Sequence, residues 1–424
     1  MQVRSLTVLQ NWDCHSCGDC CRSYAVPVTA EERARIEGQG WGQQPDLQNV
    51  ALFTHRGGDT HLAHRPDGAC VFLGPDNRCR IHAAHGAAAK PLACRIYPFL
   101  LVPAGDHWNL GLRMACPSAA ENKGRPLSDH LREAREFAAA LEADNAKGAE
   151  GAPPPPLYGS QVVPWGDVGR IALAVSRVLA DGPDPFERRW RKVLFVVAML
   201  RKATFDGGGD KKKAVTGERL SEMLRVLGMA ADEEEPKVAA EVAKPGWAGR
   251  TVFRQLVAVY ARKDHGTEKG PALSGPVSRF WSAVRFASGR GHVPKLHAAL
   301  PDAATFAASD VPTGAVSDTA AALLARWHRV KVESLQFCGP TNFGLGVWEG
   351  LESLALTYPV AMWLARVLVA GGQSPDAAVT RAVRMADDNF GFNPLLGSAR
   401  QKFALRLLAN RGDLSRLIAW YGRE

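Results

Sequence analysis

The sequence has no long hydrophobic run, because no stretch of about 18 residues is both strongly apolar and free of charge. The nearest candidate, residues 351–370, contains Glu352, Pro359 and Arg366, so it predicts a buried helix rather than a membrane span. The first residues also lack the apolar core and the small-residue cleavage site of a secretory signal. We therefore expect a protein of the reducing cytoplasm, in which disulfides rarely form.

Several catalytic motifs are also missing. The sequence has no nucleophile elbow, no His-Glu-x-x-His pair and no Walker A loop. The Cys-x3-Cys-x2-Cys spacing of radical S-adenosylmethionine enzymes is absent, as is any repeat that would predict a solenoid. The glycines of residues 344–350 loosely resemble a nucleotide-binding loop, but no predicted strand precedes them, so we interpret them as a turn that leads into a helix. No residue is identified as catalytic.

The charge is unevenly distributed. The net charge is +9, with a balance of −1 in residues 1–150 and of +10 in the remainder. No Lys/Arg stripe with interleaved aromatic residues appears in the basic part, so nucleic acid is not expected as a partner. A protein substrate or an acidic protein partner fits this charge better, and a solvated basic surface is the simplest interpretation.

The hydrophobic pattern predicts a mainly α protein, with a small, loop-rich, metal-stapled N-terminal domain followed by a larger helical domain. We divide it into a cysteine-cluster domain (1–125), a connecting helix (126–147), a Pro-rich linker (148–160) and a basic all-helical domain (161–424). Thr29 and Glu32 have the spacing of a capping box that opens a short helix through Ile36. Residues 206–213 and 230–244 are predicted as exposed loops. The helices predicted in the last domain span 165–181, 185–203, 216–228, 249–263, 276–288, 317–336, 347–371, 375–388, 398–410 and 413–421.

The cysteines carry the clearest signal. Eight of the nine lie within the first 116 residues: Cys14, Cys17, Cys20, Cys21, Cys70, Cys79, Cys94 and Cys116. The ninth, Cys338, is predicted to be a small buried hydrophobic residue. Clustered thiols in a reducing compartment favour a metal centre over disulfides or inert buried cysteines. All-thiolate ligation suits both Zn²⁺ and iron–sulfur clusters, and the sequence leaves both open.

The first three cysteines have the Cys-x2-Cys-x2-Cys spacing of a ferredoxin-type cluster loop, and Cys116-Pro117 resembles the remote Cys-Pro that completes such a set. Histidines are secondary candidates. His55, His61 and His64 lie in a segment where one of them could replace a thiolate, and His82 and His85 flank Cys79 as candidate partners of the ligands.

These residues resemble a known family. The segment 14–22 resembles the opening of the YkgJ-type cysteine-cluster (CxxCxxCC) family of zinc- or iron-chelating domains, and the similarity continues through residues 28–36, 68–73, 77–82 and 91–99. The sequence departs from the family at His82, where Tyr is usual, and in residues 83–90. The resemblance implies that the eight clustered cysteines are metal ligands.

The family includes flagellin lysine-N-methylase, so the resemblance also implies S-adenosylmethionine as a cofactor and protein lysine N-methylation as an activity. From the residues we derive a metal-binding protein, with a [4Fe–4S] cluster favoured slightly over zinc. The alternative function is a non-catalytic interaction module stapled by structural zinc.

Overall fold

Helices dominate the computed structural model, which describes residues 2–144, 152–180, 182–203, 205 and 214–423. The mainly α class predicted from the sequence is confirmed, with a small N-terminal region of loops and strands before the larger helical region. The α-helices are α1 (Asp19–Ser23), α2 (Ala30–Glu37), α3 (Arg80–His85), α4 (Leu92–Ile96), α5 (Pro117–Ala120), α6 (Leu131–Asp144), α7 (Trp165–Leu179), α8 (Phe186–Leu200), α9 (Gly217–Glu234), α10 (Trp247–Tyr260), α11 (Pro276–Ser288), α12 (Asp318–Glu333), α13 (Val347–Ala370), α14 (Pro375–Asn389), α15 (Ala399–Asn410) and α16 (Asp413–Tyr421).

The strands are short and lie in the first 126 residues of the described chain. They are β1 (Gln2–Arg4), β2 (Asn11–Trp12), β3 (Phe53–Arg56), β4 (Asp59–Leu62), β5 (Phe99–Pro103), β6 (His107–Leu112) and β7 (Arg125–Pro126). β5 and β6 form an antiparallel hairpin in which Leu101 faces Leu110, and β1 pairs with β6 in parallel. β2 pairs with β7, and β3 pairs with β4. These pairings bring the two ends of the N-terminal region together.

The buried residues form two hydrophobic cores. The larger core joins β1, β5, β6 and α6 to the C-terminal helices. The smaller core lies within residues 28–81 and is built around Ile36, Trp41 and Phe72, with Cys70 among its buried members. Cys21, Cys79 and Cys94 pack against this smaller core. The N-terminal region therefore contributes to both cores, while the domain bounds given above stay a prediction.

The predicted Pro-rich linker lies partly outside the described residues, which omit 145–151. Its described end contacts the helical part, because the carbonyl of Pro156 accepts a hydrogen bond from Val347 N (2.8 Å) and Leu157 is fully buried. In the connecting segment, α6 begins at Leu131 after a short 3₁₀ turn.

Helix α13 is the central helix of the larger core. It is long and apolar enough to cross a membrane, yet 89% of its most apolar window is buried inside the protein. Arg366, whose charge interrupts the hydrophobic run, donates to the carbonyls of Ser309 (3.3 Å) and Tyr421 (3.0 Å). The buried helix predicted for residues 351–370 is therefore confirmed.

The prediction of an exposed loop over residues 230–244 is wrong at its start, because α9 continues to Glu234. The acidic run there pairs with cations of α8: Lys192 forms an ion pair with Asp232, and Arg191 bonds to Glu235 (3.0 Å). α8 therefore neutralises one carboxylate in the last turn of α9, Asp232, and binds Glu235 directly after the helix ends. Residues 206–213, the other predicted loop, lie outside the described residues.

A buried histidine of α12 that contacts Thr357 of α13 gives a pH prediction. His328 is fully buried, its Nδ1 lies 2.8 Å from Leu324 O, and burial lowers its pKa to about 3. The imidazole stays neutral in the folded protein but takes up a proton below pH ~6.5 once unfolded. We expect the free energy of unfolding to fall by about 1.4 kcal/mol for each pH unit below that value on account of this group.

Urea unfolding of the wild type and of His328→Gln at several pH values between 7 and ~4 checks this prediction. The variant should show the shallower pH dependence. Identical slopes for the two proteins would contradict it.

Candidate metal centre

The first four cysteines lie on a loop and the short helix that follows it. Gly18 precedes α1 with a φ of +71°, a left-handed conformation that favours glycine and turns the chain between Cys17 and Cys20. The Arg22 side chain donates to Asn77 Oδ1 (2.7 Å), which ties α1 to the loop before Cys79.

The next two cysteines lie on irregular hairpins next to α1. Cys70 pairs with His64 in an antiparallel bridge, and its backbone N–H donates to Cys21 O (2.8 Å). Cys79 pairs with Leu73 in a second bridge, directly before α3. These backbone contacts place Cys70 next to Cys21, although the two residues are about 50 positions apart in the sequence.

The capping box of α2 positions the helix that carries Cys94. Glu32 accepts from Thr29 N (3.0 Å) as the predicted box requires, and its second oxygen accepts from Leu92 N (2.6 Å) at the start of α4. Because α4 carries Cys94, one carboxylate connects the helix predicted from sequence to a candidate ligand.

Five of the candidate cysteines line a single cavity of about 230 Å³. They are Cys20, Cys21, Cys70, Cys79 and Cys94, which we call the inner group. A thiolate at Cys94 would be repelled by thiolates at Cys70, Cys79 and Cys20, which indicates that these four lie close together. His64, Lys90 and Arg113 supply the basic groups of the lining.

The other three candidates, Cys14, Cys17 and Cys116, do not line this cavity, and we call them the outer group. Cys17 interacts electrostatically with both Cys14 and Cys20, and Cys116 interacts with Cys17. Cys14 and Cys17 are exposed, whereas Cys116 is buried directly before α5. Cys20 therefore has neighbours in both groups.

All nine cysteines are free thiols. Burial raises the pKa of Cys70 and of Cys116 to about 11 each, and it also raises the pKa of Cys94. The pKa of Cys20 is well above its usual value. The larger cause is a hydrogen bond with Cys21, and the smaller one is burial. These four thiols are therefore protonated at neutral pH, and a metal that binds them as thiolates must displace their protons.

No group of three or more His, Cys, Asp or Glu side chains among the described residues is arranged to hold a single metal ion. The inner thiols instead line the cavity described above.

Of the candidate histidines, only His64 lines the cavity. His85 packs edge-on against the Trp41 ring, 5.6 Å between centroids, and His55 contacts Thr60. Cys338 lies in the larger core, buried as predicted.

A buried charge network from the helical part reaches the cavity, and the sequence analysis missed it. Asp388 of α14 accepts from Tyr24 (2.7 Å), Arg113 (3.1 Å) and Lys263 (2.6 Å). Tyr24 and Arg113 both line the cavity. These cations hold the pKa of the Asp388 carboxyl below its usual value despite the opposing effect of burial. Asp388 therefore fixes one wall of the cavity.

A neighbouring carboxylate supports the outer group. Asp387 accepts from Ala115 N (2.9 Å), one residue before Cys116, and forms a fully buried ion pair with Lys331 (2.7 Å). On the same helix, Arg384 donates to Asp19 (2.6 Å), the residue before Cys20. One helix of the larger core thus positions backbone beside both cysteine groups.

The order and spacing of the eight clustered cysteines between residues 14 and 116 can be compared with known families. Residues 13–120 match the CxxCxxCC family. The family's description is "Putative zinc- or iron-chelating domain", so the resemblance inferred from the sequence is confirmed and metal binding is supported for this part of the chain. Residues 1–12 and 121–424 lie outside the match. No curated protein and no solved structure matches the chain.

Proposed function

We propose that the CxxCxxCC domain binds iron as a [4Fe–4S] cluster in the cavity of the inner group, with cysteine thiolates as ligands. The observation that carries the proposal is that five thiols from four separate segments face one cavity of about 230 Å³. Thiolates are soft donors, which suits both zinc and iron–sulfur clusters, so the donor set fits the proposed group.

The size of the cavity favours a cluster over a single ion. Four thiolates around one Zn²⁺ lie about 2.3 Å from the metal, which leaves no space between them for a cavity. The inner thiols line a cavity instead, and no three potential ligands in the described chain converge tightly enough for one ion. A four-iron cluster would fill such a space, with its thiolate ligands farther apart than those of a single ion.

The outer group supports a second four-thiolate set. Cys14, Cys17 and Cys116 form it together with one of the adjacent pair Cys20 and Cys21, and its spacing is that of a ferredoxin-type loop with a remote Cys-Pro. Under this proposal all eight clustered cysteines are metal ligands or their immediate neighbours. The cytoplasm would keep these thiols reduced for loading.

Metal and sulfide analysis of the full-length protein purified without oxygen tests the proposal. We expect iron and acid-labile sulfide in equal amounts, close to four of each per bound cluster, and a brown colour with broad visible absorption. A colourless protein with stoichiometric zinc and no sulfide would reject the cluster and support the structural-zinc module, in which the metal staples the smaller core.

Lysine methylation by S-adenosylmethionine is a second candidate function. A cavity of about 610 Å³ between β6 and α7 contains groups that match this zwitterionic cofactor. The Asp106 carboxylate would face its cationic centres, Arg170 its carboxylate, and Trp165 its adenine. The acceptor would be a lysine of a protein substrate.

Calorimetric titration with S-adenosylmethionine tests this second candidate independently of the metal. Saturable binding that the Arg170→Ala variant weakens at least tenfold would support it. A wild-type protein that releases no binding heat would reject it.

A further inference from the structure

His64 is placed opposite a cavity cysteine by the backbone. It pairs with Cys70 in an antiparallel bridge, and the flanking bond from Val71 N to Ala63 O (3.0 Å) continues the pairing. Residues that face each other in such a pair carry their side chains on the same side, with Cβ atoms about 4.5–5.5 Å apart. The imidazole of His64 and the thiol of Cys70 therefore project into the same cavity, which both residues line.

The two ring nitrogens of His64 have different surroundings. Nε2 is buried and has no hydrogen-bond partner. The ring also interacts with the backbone of Tyr24, and because Nε2 has no partner, Nδ1 is the nitrogen that can donate to it. A neutral imidazole that donates from Nδ1 to a carbonyl carries its lone pair on Nε2. An unpartnered buried acceptor is costly unless something binds it.

We infer that His64 Nε2 is a nitrogen ligand of the metal centre in the cavity, together with the thiolates of Cys70, Cys79 and Cys94. The inference rests on the proposed metal centre and adds a ligand to it. Metal-bound histidines characteristically donate their second N–H to a carbonyl or a carboxylate, which fixes the ring and its tautomer, and the contact with Tyr24 supplies this support.

Mixed ligation also gives the inner centre four donors without Cys20 or Cys21. Three cavity thiolates and one imidazole make four ligands for the inner centre. One of the adjacent pair Cys20 and Cys21 then completes the outer group of three, and the other is a neighbour of the ligands.

The test compares His64→Asn, His64→Cys and His61→Asn in the full-length protein. Asn at position 64 can still donate from the Nδ1 position but has lost the Nε2 ligand, whereas Cys restores a fourth donor as a thiolate. His61 lies three residues away, bonds Asp59 O through Nδ1 (3.3 Å) and does not line the cavity, so it is the matched control.

Metal content, pulsed EPR of the reduced centre with ¹⁵N-labelled histidine, and the reduction potential are measured. We expect a histidine nitrogen coupling in the wild type and in His61→Asn. His64→Asn should lose at least half of the bound iron. His64→Cys should retain the iron, lose the coupling and show a lower potential, because imidazole ligation raises the potential of such centres.

A metal-loaded wild type without a histidine nitrogen coupling, or a His64→Cys variant with unchanged coupling and potential, would overturn the inference while leaving the thiolate centre intact. A wild type that binds no metal would instead reject the centre itself. The two failures are therefore distinguishable.

Discussion

Replacing Cys79 by Ser is expected to remove most of the metal from the cavity. Cys79 lines the cavity, its interactions with Cys70 and Cys94 place it among the inner thiols, and an alcohol is a poor replacement for a soft thiolate donor. Loss of a residue that only supports a ligand costs about 10–100-fold in metal affinity, and loss of a ligand should cost at least as much. Elemental analysis of purified Cys79→Ser against the wild type measures the effect.

The control for this variant is Cys338→Ser. Cys338 is the one cysteine outside residues 13–120, it lies in the larger core, and it shares no cavity with the clustered thiols. Its metal content should equal that of the wild type. Cys14→Ser and Cys17→Ser, in the outer group, should lower the metal content while the inner centre remains. Equal losses in all four variants would contradict the ligand assignment.

Metal loss should also destabilise the N-terminal region locally. The smaller core is built from about ten buried residues between Val28 and Ile81, and three of the inner cysteines pack at its edge. So small a core contributes little stability on its own, and metal binding in such domains adds directly to folding. Hydrogen exchange of residues 28–81, which form the smaller core, should therefore quicken in Cys79→Ser, whereas the helices of the larger core should keep their protection.

The sequence was sufficient to predict the cysteine-cluster family and most helices. Periodic apolar positions marked α13, and the capping box of Thr29 and Glu32 marked α2, because both are local signals. The cysteine spacing indicated a metal centre, since four thiols within eight residues are rare outside metal sites. The family match confirms this part of the interpretation.

The division of the cysteines into two groups could not be predicted from sequence. It depends on which segments pair, such as His64 with Cys70, and on a carboxylate that joins two helices, as Glu32 does between α2 and α4. Asp388 gave no signal either, since one aspartate near a helix end resembles any surface residue. The acidic run after Ala231 was interpreted as a loop because its partners, Arg191 and Lys192, are about 40 residues away.

Replacing Asp387 by Asn is expected to destabilise the protein by about 3–5 kcal/mol, because it leaves the Lys331 ammonium buried without its counter-charge. Asp387 is fully buried, accepts from the Trp327 indole N–H (2.8 Å) and from Ala115 N, and is the carboxylate that offsets the desolvation of Lys331. Burial lowers the pKa of Lys331, and Asp387 is the partner that opposes this shift. Urea unfolding measures the loss.

Two further variants separate charge from packing. Asp376→Asn changes a half-buried aspartate at the start of the same helix, where it accepts from Ser317 N (2.9 Å), and it should cost much less stability than Asp387→Asn. Asp387→Leu combined with Lys331→Met removes both charges and should recover part of the lost stability. Most of the cost of breaking a buried ion pair comes from the charge that remains buried without a partner, and the double variant leaves no such charge. If the double variant is no more stable than Asp387→Asn, the packing around Ala115 and Trp327, rather than the unpaired ammonium, determines the stability at this position. The metal content of Asp387→Asn should also fall, because its amide has one oxygen in place of two and cannot accept from both the Trp327 indole and Ala115 N, the backbone before Cys116.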